Sequence, residues 1–297
     1  MIDGNSFTMM AVALILLCSC GRSEEVKTPV AVLADGVSEY GVSDDSVSDD
    51  SVSKDTAALE MAALEVDSYG EKLDKALLDA YIPADMGERI RTAGKSVFLP
   101  QLEAAMLGDP FLSRLVDKQH ALPDGYEPDD IVTLNNNGSY RVGRDGLRLR
   151  REAAEALEVM AKAARASGVT LVASSAYRSF DYQVEVYNRN VRENGQETAD
   201  RESSRPGFSQ HQLGLAIDFG SITDAFAQTA AGRWIFENAP EYGWIISFPD
   251  GYERLTGYRW ESWHYRYMGL PLASFIERWF GGIQQYALQF IHAWRNS

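Results

Sequence analysis

The stretch Ser209-Gln-His-Gln-Leu-Gly-Leu-Ala-Ile-Asp218 restricts this chain more than any other. Its alternation predicts a strand over Leu213–Phe219, with Leu213, Leu215 and Ile217 on one face and Gly214, Ala216 and Asp218 on the other. A carboxylate on a face otherwise made of small residues has room for a site around it. His211 precedes that carboxylate by seven positions, and Glu261-Ser-Trp-His264 supplies a second imidazole with its own carboxylate.

Two histidines and an aspartate are the right donors for a three-ligand catalytic zinc, whose fourth position stays open for water. Glu261 is then a candidate general base. Buried, hydrogen-bonded histidines fit the same spacing. The metal reading carries a geometric cost. A regular strand sends Glu261 and His264 to opposite faces, so the backbone must turn or bulge between them. The two cysteines, Cys18 and Cys20, both precede the segments with folding patterns, so no thiolate competes for the metal there.

The formal charge of −15 argues against nucleic acid as a partner. Residues 9–20 form a short apolar run, too short to span a bilayer, that reads as a signal peptide over 1–20. Leu17-Cys-Ser-Cys20 resembles a bacterial lipobox, which would make Cys20 a lipidation site and the chain a membrane-anchored lipoprotein of the cell envelope. A plain cleaved signal is the alternative. Residues 21–56 hold nine acids against three bases and repeat Val42-Ser-Asp-Asp-Ser46 as Val47-Ser-Asp-Asp-Ser51. Such a segment lacks the apolar surface to offset its ordering entropy, so it is expected to be a disordered linker. Residues 57–111 read as helices, either a spacer or packed on the domain, with Val97–Leu107 one of them.

From residue 112 to 297 the chain reads as one domain. Helices are expected over Arg150–Ala166, from Asp181 to Arg192 and over Ala230–Asn238, with a strand at Val169–Ser174 and a polar loop over 193–210. Further strands are expected at Trp244–Phe248 and around Trp263–Tyr267, joined through the turn Pro249-Asp-Gly251, and packing helices over Leu272–Trp294. His120 reads as a structural loop histidine and His292 as a surface or packing one.

Ser209-x-His211-x-x-Gly214-x-Ala216-x-Asp218 and Glu261-x-Trp263-His264-x-Arg266-Tyr267 resemble the signatures of the VanY-type zinc D-Ala-D-Ala carboxypeptidases. Ala176-Tyr-Arg-Ser-Phe180 with Gln183, Asn238–Gly243 and Leu255–Tyr258 match in the same order, and the resemblance covers residues 112–270. Gln210 and Ser262 depart from it, where glutamate and proline are common. The resemblance implies an α+β fold, a small antiparallel sheet carrying a zinc site and flanked by helices. It implies His211, Asp218 and His264 as zinc ligands, and Glu261 and Arg178 as catalytic residues, Arg178 contacting substrate. Ser209, Gln183 and Tyr258 are further candidates for substrate binding, with capping of the following turn the alternative for Ser209. The implied activity is removal of the C-terminal D-alanine from peptidoglycan stem peptides by a monomer. An L,D-carboxypeptidase, a cell-wall endopeptidase and a non-catalytic wall-binding module are the alternatives on the same scaffold. An intact Glu261 speaks against the last.

Overall fold

The computed structural model describes residues 68–297. The expected leader with Cys20, the acidic linker and the start of the first helix lie outside the described residues.

Among the described residues, seven strands form two sheets. β1 (Ile131–Thr133) pairs antiparallel with β3 (Arg148–Arg150). The larger sheet runs β2-β4-β5-β7-β6, built from β2 (Tyr140–Val142), β4 (Leu171–Ser175), β5 (Ala216–Phe219), β6 (Trp244–Ile246) and β7 (His264–Tyr267). Its β4–β5–β7–β6 part is antiparallel, as expected, while β2 joins the edge parallel to β4.

The helix α4 (Arg151–Ala166) covers this sheet. Ala153, Leu157, Met160, Ala161 and Ala164 form its buried stripe, the spacing an amphipathic helix requires. With α7 (Ala230–Asn238) and the inward faces of β4, β5 and β7 they make one core. The helix α5 (Phe180–Asn194) opens on Ser179, whose hydroxyl accepts from the Tyr182 N–H at 3.2 Å.

A second core lies among helices. A helix over 68–79 (α1), α2 (Ala84–Ala93) and α3 (Lys95–Met106) share it with α9 (Leu270–Phe280) and α10 (Gln284–Asn296). Phe98 sits at its centre, ringed by Phe275, Trp279 and Phe290. Ile245 of β6 and Met268 beside β7 belong to it, so these helices pack on the sheet that carries the site. The fully buried Arg266 of β7 fastens the intervening chain by donating to the carbonyls of Phe111, Leu112 and Arg114 at 2.9–3.0 Å.

Three local expectations change. The polar loop over 193–210 contains α6 (Gln196–Glu202), about two turns of mostly good helix formers that bury little beyond Ala199, so no apolar periodicity announces it. The strand expected from Leu213 begins only at Ala216, because Gln210–Leu213 winds into a 3-10 turn closed by Gly214. Gly214 is left-handed (φ 72°), and a Cβ there would stand 2.8 Å from Arg150 Cγ and Ile131 Cδ1. Finally, β6 and β7 are joined by the long segment 247–263, which includes the turn and a short helix, α8 (Glu253–Thr256).

Candidate metal centre

Three neighbouring strands build the site. Asp218 on β5 lies directly across from His264 on β7, and its other neighbour in register is Ser175 on β4. His211 comes from the 3-10 turn before β5. Its Nδ1 lies 2.8 Å from the Ala176 carbonyl, just past β4.

That contact fixes the tautomer. A carbonyl only accepts, so Nδ1 carries the hydrogen and Nε2 presents a lone pair. The Nε2 atom is buried, has no hydrogen-bond partner and stands 3.3 Å from Asp218 Oδ2. Asp218 Oδ1 also lacks a hydrogen-bond partner and stands 3.1 Å from His264 Nδ1. Ligand atoms of the three residues lie within 4.8 Å of one another. Electron-rich atoms brought together out of water need a cation between them, and two nitrogens with one carboxylate suit zinc. The residues therefore fit a metal ion.

The electrostatics agree. Burial and the nearby Arg178 outweigh the pull of Asp218 and lower His211 to about 4, which keeps it neutral and able to ligate. Burial alone would raise Asp218, but the two imidazoles override it and hold the carboxyl well below its ordinary range. Burial opposes charge on His264 as well. The Asp218 and Glu261 carboxylates outweigh it and raise His264 to about 9, so a proton occupies the cluster when no metal does.

Glu261 Oε2 lies 3.4 Å from His264 Nδ1. The turn demanded by that proximity is present: Ser262 and Trp263 form it, with the His264 N–H directed at the Glu261 carbonyl. Burial raises the Glu261 carboxyl above its usual range, and His264 offsets this only in part. A raised carboxylate beside a metal site is suited to holding and releasing a proton near neutrality.

Arg178 reaches the cluster from the loop before α5. Its Nη2 is 3.5 Å from Asp218 Oδ2, and its Nη1 donates to Gln183 Oε1 at 3.0 Å. The cluster opens into a cavity of about 370 Å³, lined among others by Arg178, Ser209, Tyr258 and Glu261. Gln183 does not line it. It is fully buried behind Arg178, with its amide donating to the Ser204 carbonyl at 2.7 Å. The Ser209 hydroxyl caps the turn by accepting from the His211 N–H at 3.2 Å. The Tyr258 hydroxyl donates to Ser204 Oγ at 2.9 Å. His120 and His292 sit apart from the cluster, with their rings 5.0 Å from each other.

Sequence reasoning missed Gln210 as a partner of His264. Its Oε1 lies 3.4 Å from Nε2 of that ring. It also missed the basic side chains Arg144, Arg189 and Arg259 on the cavity wall. Gln210 was legible only as a departure from a motif, and the arginines lie in segments that carry no motif.

A family model described as VanY, D-alanyl-D-alanine carboxypeptidase, matches residues 146–270. The protein YodJ of Bacillus subtilis (strain 168) is 40% identical over 169 residues, which are 55% of this chain and 62% of that protein. The chain spans between about half and three fifths of the first curated relatives it matches. The bifunctional D-Ala-D-Ala dipeptidase and D-Ala-D-Ala carboxypeptidase VanXYC of Enterococcus gallinarum is 30% identical over 182 residues, covering 56% of this chain and 89% of that one. Among solved structures, the LdcB LD-carboxypeptidase superposes with a TM-score of 0.51 at 36% identity, over 57% of this chain and 85% of LdcB. A mutant of the vancomycin resistance D,D-pentapeptidase VanY in complex with Zn(II) gives 0.51 at 29% identity, over 60% and 98%.

Proposed function

Because the chain belongs to the VanY family of D-alanyl-D-alanine carboxypeptidases, we propose that it is a zinc D,D-carboxypeptidase that removes the C-terminal D-alanine from peptidoglycan stem peptides. The observation that carries this reading is the unpartnered His211 Nε2 facing the Asp218 carboxylate, with His264 Nδ1 on the carboxylate's other oxygen. His211, Asp218 and His264 would hold the zinc. When bound, the ion supplies Lewis-acid polarisation of the scissile carbonyl and acidifies water.

The chain's own groups do the rest. Glu261 takes the proton of the attacking water and returns it to the leaving amine. Arg178 is fixed by Gln183 and directed at the cluster, where it pairs with the terminal carboxylate or the tetrahedral oxyanion. Gln183 acts in substrate binding through this guanidinium. Ser209 and Tyr258 line the cavity that receives the peptide end. An L,D-carboxypeptidase is the second reading, favoured by the 36% identity with LdcB.

The protein is proposed to work in the cell envelope as a monomer, anchored through a lipid on Cys20 and held off the membrane by the 21–56 linker. A Cys20→Ala variant should then move from the membrane to the soluble fraction, and unchanged partitioning would refute the anchor. For the activity, products from pentapeptide and tetrapeptide stems are analysed with and without a chelator. Zinc-dependent D-alanine release from the pentapeptide is expected. Release from the tetrapeptide alone would select the L,D reading, and release that survives metal removal would defeat both.

A further inference from the structure

Four arginines line the cavity, in a chain whose formal charge is −15. Two of them are electrically occupied. Arg178 faces Asp218, and Arg259 donates to both oxygens of Asp224 at 2.7 Å with Glu202 3.9 Å away. Arg144 and Arg189 form no ion pair among the described residues. Asp218 and Glu261, the remaining acids of the cavity wall, face the metal cluster.

The two guanidiniums without an ion pair belong to one stretch of wall. Tyr182, Val186 and Arg189 follow one another at helical spacing along α5, and all three line the cavity. Arg144, in the turn after β2, directs Nη1 to the Tyr182 hydroxyl at 3.4 Å and holds its guanidinium 5.9 Å from that ring's centre. Uncompensated positive charge at the mouth of a cleft concentrates anions there.

We propose that Arg144 and Arg189 form a second anion subsite, separate from Arg178, that selects peptides bearing a carboxylate upstream of the scissile bond. The inference rests on the carboxypeptidase reading and extends it to the substrate's side chains. In a stem peptide two carboxylates qualify: the side-chain carboxylate of a diamino dicarboxylic acid at the third residue, and the free α-carboxylate of a γ-linked glutamate at the second.

Four synthetic stem peptides separate these sources. The third residue is diaminopimelate or lysine, and the glutamate α-carboxylate is free or amidated. Terminal alanine release is measured as kcat/KM for the wild type, Arg144→Gln/Arg189→Gln and Arg144→Lys/Arg189→Lys. The wild type should prefer one carboxylate-bearing member of a pair by about two- to fivefold, a preference that shrinks in high salt. The glutamine pair should bring that ratio close to one, and the lysine pair should keep part of it. A wild-type ratio near one in every pair would overturn the subsite, as would a ratio that survives both glutamines. Absence of release from all four peptides would instead defeat the carboxypeptidase reading, and the subsite with it.

Discussion

Replacing Gln210 by alanine tests how the site holds its second imidazole. Gln210 Oε1 accepts from Ser247 Oγ at 2.7 Å and faces His264 Nε2 at 3.4 Å. Gln284 of α10 braces the same chain, donating to Ser247 Oγ at 2.9 Å and to the Ile245 carbonyl at 3.2 Å. All of these groups are buried. With Nε2–H engaged, Nδ1 is left for the cluster. In Gln210→Ala the Ser247 hydroxyl and the His264 Nε2–H both lose their acceptor. A buried donor without a partner costs about 1–3 kcal/mol, so the two together should lower stability by about 2–6 kcal/mol. The freed ring should also bind zinc about 10- to 100-fold more weakly, the usual loss when a ligand's orienting partner is removed. Gln210→Glu separates the two effects. It keeps both acceptor bonds, so zinc affinity should stay near that of the wild type. Urea unfolding of the metal-free protein gives the first quantity, and competition with a chromophoric chelator gives the second. Wild-type zinc affinity in Gln210→Ala would refute the orienting role.

Three further outcomes are expected. Glu261→Gln should keep its zinc, measured by metal analysis, and lose at least ~10²-fold in kcat, the scale of a missing general base; retained turnover would assign the proton transfer elsewhere. His264 is raised from 6.5 to about 9 in the metal-free protein, so below about 9 a proton competes with the ion. Zinc uptake near neutral pH should therefore release close to one proton, and affinity should climb as pH rises toward that value. Calorimetry in buffers of different ionisation enthalpy reads this, and zero release would contradict it. In Gly232→Ala the new Cβ would stand 2.0 Å from the Phe226 carbonyl oxygen. The helix-propensity gain of about 1 kcal/mol is smaller than an overpacking cost of about 1–3 kcal/mol or more, so the melting temperature should fall by several degrees.

Much of the site was legible because its chemistry is written in short spacings. His211 and Asp218 lie on one run of ten residues, and the need for a turn between Glu261 and His264 follows from strand geometry alone. The helix α4 and the helix α7 show their apolar faces openly. What escaped depends on contacts distant in sequence. The parallel pairing of β2 with β4 brings together strands separated by the whole of α4. The strand start at Leu213 was misjudged because a left-handed Gly214 follows a turn whose four residues are all buried, and burial on every side mimics a strand's apolar run. Gln183 was expected in substrate binding, and its burial behind Arg178, which it bonds, could not be read from the sequence. Arg144 and Arg189 are ordinary surface residues until α5 and the turn after β2 set them on one wall.

The most direct measurement is zinc-edge anomalous diffraction from crystals of the protein loaded with one equivalent of zinc. A single strong peak is predicted, about 2.0–2.2 Å from His211 Nε2, His264 Nδ1 and an oxygen of Asp218, with Glu261 beside it and not bound to it. A peak that omits any of those three residues, or no peak at the cluster, would contradict the proposed centre and the hydrolysis built on it.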